Sequence, residues 1–350
     1  MRVERLHRRN VLAGLTAAAA AGPLRAASGA VPFGAAVNHY LLPENAPYRT
    51  ALARYCDVLV GEGAMKWNVI RPQRETFAFA DGDACVAFAN ARGLQMRGHT
   101  LVWCEGNPDW LKTLGSGIEA ERELRRHIQR TVSHFSGSIR DWDVVNEPIA
   151  TKPKSATDVR EGVWPALLGP RYIDMAFHMA ADVAPTQRRV INEYDIEGAT
   201  PRDRLKREAF RRLILDLKSR GVPITGVGLQ AHLNGGIEID TEGVSAFCAE
   251  MMRAGLDVLI TELDVNDYDL PGDVAQRDAI VARRTEDFLS AVFAACRPKL
   301  VCTWGISDRQ TWMPIWFKRR DGLPNRPLPL DAEFAEKPML RVIRRFCGGV

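Results

Sequence analysis

Short apolar runs, each followed by a longer segment with helical spacing, recur along the chain and limit its possible folds more than any other feature. The runs are about four to eight residues long and nearly continuous in apolar character, which is typical of parallel strands buried on both faces. They begin near Phe33, Asp57, Met96, Ile139, Arg189, Gly226, Asp257 and Leu300. Eight strand-then-helix units predict an α/β protein with a single (β/α)8 barrel, the TIM barrel.

The clearest helical segment runs from residue 201 to residue 220. Thr200 precedes Pro201 at its start and Gly221 follows its end, which indicates a capping side chain, a proline in the first turn and a glycine stop. A doubly wound open sheet is the alternative architecture. That fold usually carries a glycine-rich phosphate turn after its first strand, whereas the first run here leads into His39 and Tyr40.

Positive charge is concentrated at the start of the chain. Residues 1–30 hold five Arg and one Glu, and the formal charge of the whole chain is +4, so residues 31–350 are neutral overall. Phosphate binding needs a basic surface, and no nucleic-acid partner is therefore expected. Composition is ordinary for a folded protein, at 46% hydrophobic and 26% charged residues, and residues 31–350 show no linker that would divide them.

Residues 1–30 resemble a twin-arginine export signal. Arg8 and Arg9 precede an apolar run over residues 11–21, and small residues follow over 26–30. The apolar run is too short to span a bilayer as a helix. We predict export to the periplasm or outside the cell, with no membrane attachment after the signal is removed. A frayed, alanine-rich helix is the alternative interpretation.

The seven cysteines do not predict a metal or redox centre. Their number is odd, and no two stand at the CxxC spacing. We expect most of them to be buried, reduced thiols. The spacing of Cys296 and Cys302 allows a disulfide, but Cys302 falls inside the predicted last strand, which favours a buried thiol there.

Polar and aromatic side chains follow nearly every predicted strand. The carboxyl ends of barrel strands meet at one face, so these side chains should lie together. Two of them are the carboxylates Glu147 and Glu262, each ending a strongly apolar strand. One such glutamate alone would suggest a structural ion pair. Two together suit cleavage of a glycosidic bond, where one donates a proton to the leaving oxygen and the other attacks the anomeric carbon or activates water.

Other side chains near the strand ends fit the same chemistry. Asn146, Gln230 and His232 can bond sugar hydroxyls, and six tryptophans near strand ends or loops offer flat apolar surfaces: Trp67, Trp103, Trp110, Trp304, Trp312 and Trp316. The sequence contains neither the clustered His ligands of metal-assisted hydrolysis nor the GxSxG pattern of a serine nucleophile. We therefore expect no metal and no other cofactor.

Nine motifs stand in a specific order: MKW at 65–67, RGHTLVW at 97–103, PDW at 108–110, WDVVNEP at 142–148, INEYDIE at 191–197, GLQAHL at 228–233, ITELDV at 260–265, and WGISD with TWMP within 304–314. Together they resemble glycoside hydrolase family 10, whose characterised members are mostly endo-β-1,4-xylanases. The resemblance extends from about Phe33 to Cys347. It implies a (β/α)8 barrel, in agreement with the strand count.

The resemblance also implies a role for each matching residue. Glu147 would be the general acid/base and Glu262 the nucleophile of a retaining double displacement. Asp264 would support the imidazole of His232, which would hold the nucleophile. The residues that would contact the sugars are Glu62, Lys66, His99, Trp103, Asn146, Tyr194, Gln230, His232, Trp304 and Trp312. Lys66, His99 and Trp103 would hold the non-reducing (glycone) side, with Glu62 beside them, and Tyr194 would border the reducing side.

Several positions depart from the family pattern. Gly63, Cys104 and Gly106 stand where the family usually has Asn, His and Gln, and residues 192–195 read NEYD in place of NDYN. A lost hydrogen bond to a sugar costs roughly 1–3 kcal/mol if its partner stays unsatisfied. We therefore expect retained chemistry with a weakened or re-shaped distal glycone subsite, suited to decorated or short xylan chains.

These observations predict an exported endo-1,4-β-xylanase that acts on xylan or xylooligosaccharides. Two alternatives use the same residues. One is a non-catalytic protein that binds the oligosaccharide without cutting it, and the other is a retaining β-glycosidase that acts on another β-linked glycan. The sequence does not predict the oligomeric state.

Overall fold

The computed structural model describes residues 29–155 and 158–348 of the chain. The predicted export signal therefore lies almost wholly outside the described residues. Within the described ranges, no helix combines the length and the apolar character needed to cross a bilayer.

Parallel strands close into a barrel, as the recurring apolar runs predict. The strands are β1 Phe33–Val37, β2 Val58–Gly61, β3 Gln95–Trp103, β4 Ile139–Asn146, β5 Arg188–Glu193, β6 Gly226–Leu229, β7 His232–Asn234, β8 Asp257–Asn266 and β9 Val301–Thr303. Neighbours pair in the order β6-β5-β4-β3-β2-β1-β9-β8-β7, and pairing of β6 with β8 closes the ring. The short β7 continues β6 after two residues, so the barrel wall has eight strands and the predicted (β/α)8 fold is confirmed.

Most of the helices pack outside this barrel and connect its strands, whereas two follow the last strand. The helices are α1 Ala46–Tyr55, α2 Trp67–Ile70, α3 Ala80–Ala91, α4 Gly117–His134, α5 Val163–Leu168, α6 Tyr172–Val183, α7 Pro201–Ser219, α8 Thr241–Arg253, α9 Val274–Ala295, α10 Met313–Trp316 and α11 Pro338–Cys347. α7 begins as predicted, since the Thr200 side chain accepts a hydrogen bond from the Asp203 amide. It ends one residue earlier than predicted, with Gly221 in a left-handed conformation (φ 74°) beyond its C-cap, Arg220.

The alternation of strand side chains divides the apolar core into two parts. A large cluster joins one face of the strands to the helices. A smaller cluster, which includes Ala36, Val60, Cys302 and Trp304, belongs to the other face, inside the barrel. All seven cysteines are free thiols, and Cys302 is buried in β9, as predicted, without pairing with Cys296.

Candidate active site

A cleft of about 680 Å³ opens at the carboxyl ends of the strands. All of the predicted catalytic and sugar-contacting residues line it: Glu62, Lys66, His99, Trp103, Asn146, Glu147, Tyr194, Gln230, His232, Glu262, Trp304 and Trp312. Asp264 is buried behind His232 and contacts it directly. The barrel therefore brings together side chains from seven of its strands or the loops that follow them.

Glu262 lies in the middle of β8 and is 3% exposed. Its Oε1 accepts a 2.7 Å hydrogen bond from the Asn192 amide, and its Oε2 lies 3.3 Å from Nε2 of His232. Burial alone would raise the pKa of Glu262, but the hydrogen bond from His232 and the nearby imidazoles outweigh burial and hold that pKa below its ordinary value. Glu262 is therefore kept ionised.

Asp264 orients the His232 imidazole through the ring nitrogen that faces away from Glu262. Nδ1 of His232 lies 2.8 Å from Asp264, whose second carboxylate oxygen accepts a 2.7 Å bond from the indole of Trp312. Burial would lower the pKa of His232, yet Asp264 and Glu262 outweigh it and raise this pKa well above its ordinary value. Both carboxylates therefore favour the protonated, positively charged form of this imidazole.

Glu147 directly follows β4, and its backbone is in the left-handed region (φ 56°). This conformation costs free energy for a residue with a side chain, and it is common at functional sites. Oε1 of Glu147 accepts 3.3 Å hydrogen bonds from the amides of Asn146 and Gln230. Its Oε2 pairs with the Arg160 guanidinium and lies 4.0 Å from Sγ of Cys104.

A run of side-chain amides connects the two carboxylates. Asn192 donates to Glu262 and also to Oδ1 of Asn146, at 2.9 Å, and Asn146 in turn donates to Glu147. Gln230 bonds both Asn146, at 3.1 Å, and Glu147. These contacts place Glu147 and Glu262 in one site, although β5 and β6 lie between β4 and β8 in the barrel wall.

A buried ionic layer lies beneath Glu262. Asp143 accepts 2.9 Å and 2.6 Å bonds from Arg97 and lies 2.9 Å from Nδ1 of His99. Ligand atoms of His99, Asp143 and Glu262 all lie within 4.8 Å of one another, as a metal site would require. Arg97 already neutralises Asp143 there, so the local charge does not favour an added cation.

Aromatic and cationic groups cover the other walls. The Lys66 ammonium lies 4.6 Å from the ring centroid of Trp103 and 6.0 Å from that of Trp304. Two of the six tryptophans expected to offer sugar surfaces do not face the cleft. Trp67 is buried and stacks on His127 with ring centroids 3.6 Å apart, and Trp110 packs against Trp67. Their rings pack among the helices instead, because burying an indole in the apolar core is more favourable than exposing it in the cleft.

Two sets of contacts in the site were not predicted from the sequence. Arg160 reaches Glu147 from the loop after β4, and Asn192 bridges Asn146 and Glu262. Asn192 stands at a predicted strand end, within the NEYD segment noted above, but the sequence predicts no contact between it and the two glutamates. The loop that contains Arg160 has no periodic pattern, so nothing in the sequence marks this arginine among the others.

The arrangement provides an ionised, buried carboxylate and a second carboxylate nearer the open cleft. The Glu262 side chain is 4% exposed and the Glu147 side chain 12%. Amides, imidazoles and indole faces surround the space between them, and such groups suit the hydroxyls and C–H faces of a carbohydrate. The site can therefore support nucleophilic attack with proton donation from a second residue.

Known proteins match the chain over most of its length. A family model described as Glycosyl hydrolase family 10 matches residues 23–345. Exoglucanase XynX of Acetivibrio thermocellus is 32% identical over 323 residues, which cover 88% of this chain and 28% of that protein. Beta-1,4-xylanase of Dictyoglomus thermophilum is 31% identical over 326 residues, covering 89% of this chain and 87% of that protein. This chain thus spans little more than a quarter of the first relative and most of the second.

Solved structures agree with the family match. Native xylanase 10B from Thermotoga maritima has a TM-score of 0.82 at 28% identity, covering 91% of this chain and 95% of that one. Xylanase 10B from Thermotoga petrophila in complex with xylobiose has the same TM-score and identity, covering 91% of this chain and 94% of that one. With the barrel, the paired glutamates and the matching family model, this chain belongs to glycosyl hydrolase family 10.

Proposed function

We propose that this protein is an endo-1,4-β-xylanase that hydrolyses xylan or xylooligosaccharides with retention of configuration. One observation carries the proposal: Glu147 and Glu262 are joined through Asn146 and Asn192 but have different surroundings. Family membership supports the reaction class, and structures of the relative TsXylA hold xylotriose and xylotetraose.

In this mechanism Glu262 attacks the anomeric carbon and forms a covalent glycosyl-enzyme, while Glu147 gives its proton to the leaving oxygen. Glu147 then takes a proton from water, which attacks the same carbon and releases Glu262. His232 keeps Glu262 ionised and oriented before the attack. Asn146, held by Asn192 and Gln230, is placed to bond the 2-hydroxyl of the sugar at the cleavage point.

The test is proton NMR of the first product formed from an aryl β-xylobioside. Retention predicts that the β-anomer of xylobiose appears before mutarotation. Initial release of the α-anomer would contradict the mechanism. Binding of xylooligosaccharides without turnover would instead support the non-catalytic alternative.

A second comparison addresses the glycan. Initial rates should be higher on xylan and on xylooligosaccharides than on cellulose. Preferential hydrolysis of cellulose would support the alternative of a retaining β-glycosidase acting on another β-linked glycan.

We also propose that the distal glycone subsite is open. Gly63 lines the cleft, and an added Cβ at this position would meet no atom within 4 Å. At Gly106 an added Cβ would lie 3.3 Å from Trp103 and 3.6 Å from Lys66, so both glycines adjoin the cationic and aromatic wall. Cys104 instead faces Glu147, so its substitution affects the surroundings of the proposed acid/base rather than the distal sugar.

Gly63→Asn tests this subsite. The position has open space and no left-handed φ, so the substitution should not strain the fold. A restored hydrogen bond of about 0.5–1.5 kcal/mol predicts a roughly two- to tenfold lower KM for linear xylooligosaccharides and slower cleavage of substituted xylan. Gly137→Asn is the matched control, because that glycine also has open space but lies outside the cleft, in the turn before β4. Unchanged kinetics in Gly63→Asn would contradict an open subsite.

We propose in addition that residues 1–30 direct export. The paired arginines and the short apolar run support this role. Replacing both Arg8 and Arg9 with Lys should leave the protein in the cytoplasmic fraction. Unchanged export of this variant would contradict a twin-arginine signal.

A further inference from the structure

Large apolar side chains are exposed at the mouth of the catalytic cleft. Across the part of the chain that the structure describes, eight such side chains are exposed: Tyr40, Ile118, Met252, Val274, Ile315, Trp316, Phe317 and Leu323. Four of them, Tyr40, Ile315, Trp316 and Phe317, line the cleft. Exposed apolar groups that gather in one place usually mark a binding surface, whereas single exposed ones need no explanation.

Trp316 is the largest of these groups and is 73% exposed. It ends α10, whose Met313 is buried and anchors the turn. The Ile315 amide donates to the Trp312 carbonyl at 3.0 Å and the Phe317 amide donates to the Met313 carbonyl at 2.7 Å. The backbone around Trp316 is therefore held by a buried anchor and hydrogen bonds, while its ring remains in solvent.

The turn that carries Trp316 is continuous with the catalytic network. Phe317 packs edge-on against Trp312 with ring centroids 5.8 Å apart, and Trp312 bonds Asp264. On the other side, β9 pairs with β1, so the loop that leads to α10 neighbours the loop that carries Tyr40. Tyr40 is also 73% exposed and lies against the His39 ring at 3.8 Å.

We propose that Trp316, with Ile315 and Tyr40, forms an apolar platform that binds an additional sugar of the polysaccharide chain, outside the sugars held at the cleavage point. The inference rests on the proposed endo-xylanase function. It adds that the enzyme prefers longer xylan chains over short ones. The occupant is the substrate itself, because the surface is part of the wall of the catalytic cleft.

The chemistry of the surface favours a β-1,4-linked pyranose. Such a sugar presents C–H groups on its faces, and an indole ring offers a matching flat apolar surface at low conformational cost. Tyr40 adds a hydroxyl at the edge of the same cleft. Contact of this kind does not require a particular hydroxyl pattern, so it suits an outer sugar of a polymer rather than the sugar being cleaved.

The test compares a long substrate with a short one. Trp316→Ala should lower the ratio of kcat/KM for xylohexaose to kcat/KM for an aryl β-xylobioside five- to tenfold, and Trp316→Phe should restore most of the ratio. Ile118→Ala is the matched control, because Ile118 is 85% exposed on α4, away from the cleft, and its loss should not change the ratio. Calorimetry of xylohexaose binding to Glu262→Ala, with and without Trp316→Ala, should show the same decrease in affinity.

An unchanged ratio in Trp316→Ala, in a wild type that cleaves both substrates, would overturn the platform and leave the proposed function standing. A wild type that cleaves neither substrate would overturn the proposed function itself. A change of oligomeric state in Trp316→Ala with an unchanged ratio would show that the surface binds a second copy, and this result also overturns the platform.

Discussion

At the scale of single residues, the surroundings of the two glutamates differ mainly in their charged and hydrogen-bonding partners, and less in how deeply each side chain is buried. Both are largely buried, yet Glu262 faces the charged His232, whereas Glu147 faces two amides and Arg160. In the proposed mechanism Glu147 donates a proton to the leaving oxygen, whereas Glu262 must be ionised to attack.

The first prediction concerns this division of labour. Glu147→Ala should reduce kcat/KM by about 10²–10⁴-fold on substrates with poor leaving groups and far less on activated aryl glycosides, because only the former need a general acid. Azide should restore part of the activity by attacking the glycosyl-enzyme and should yield a β-glycosyl azide. Steady-state kinetics across a series of leaving groups measures the effect. An equal loss on all leaving groups would contradict the assignment.

The second prediction concerns His232. His232→Gln removes the positive charge that holds the pKa of Glu262 below its ordinary value, so this pKa should rise. Since Glu262 must be ionised to attack, the acidic limb of the kcat/KM profile should move to higher pH. His134→Gln is the control, because His134 also contacts an aspartate, Asp83 at 2.7 Å, but lies on α4 away from the cleft. An acidic limb that does not move would argue against the role of His232.

At the scale of elements, close approach of neighbouring strands positions the amide run. Gly228 on β6 pairs in register with Asn192 on β5. An added Cβ at Gly228 would come within 2.1 Å of Oδ1 of Asn192, the residue that bridges the two halves of the site. The absence of a side chain on β6 therefore leaves room for a functional side chain on β5.

The third prediction follows from this contact. Gly228→Ala should displace Asn192, lower the free energy of unfolding by roughly 1–3 kcal/mol through overpacking, and reduce kcat/KM. Gly226→Ala, two residues earlier on the same strand, is the control. The nearest atom to its added Cβ would be Cδ of the Arg188 side chain, at 3.2 Å. Urea unfolding and kinetics on an aryl β-xylobioside measure both effects. Wild-type activity in Gly228→Ala would show that Asn192 is not held by this packing.

At the scale of the whole molecule, charge is buried in the middle of the barrel. Arg97 on β3 and Asp143 on β4 are both 0% exposed, and Asp141 adds a 3.0 Å bond to the same guanidinium. Burial alone would raise the pKa of Asp143, but Arg97 and His99 outweigh it and lower this pKa. Ionised Asp143 therefore contributes stability above its ordinary pKa, and this contribution is lost as the pH falls through the lowered value.

The fourth prediction is that Arg97→Met lowers the free energy of unfolding by about 3–5 kcal/mol at pH 7, because it leaves Asp143 buried without its cation. The difference from wild type should shrink at acidic pH, where Asp143 in the variant becomes protonated and no longer needs a partner. Arg92→Met, on the exposed end of α3, is the control. Denaturant unfolding at several pH values gives the difference. A pH-independent loss would indicate lost packing rather than lost charge pairing.

Much of this architecture could be predicted from the sequence. The apolar runs that begin near Phe33 and Asp257 correspond to β1 and β8, because strands buried on both faces need continuous apolar character whatever surrounds them. The cap at Thr200 was predictable for a similar reason, since it depends only on neighbouring residues. Trp67 shows where this reasoning fails. Its position near a strand end suggested that it faces the cleft, but its ring stacks on His127 of α4 in the core.

The sequence by itself determined the barrel, the family and most of the residues that reach the cleft, because these depend on periodic patterns and on motifs a few residues long. Only the tertiary structure decided the partners of each carboxylate. Asn192 and Glu262 are 70 residues apart, and Arg160 contacts Glu147 from 13 positions further along the chain, just after an isolated antiparallel bridge between Ile149 and Val159. Such contacts depend on how strands and loops meet in space, and no local pattern of side chains encodes that geometry.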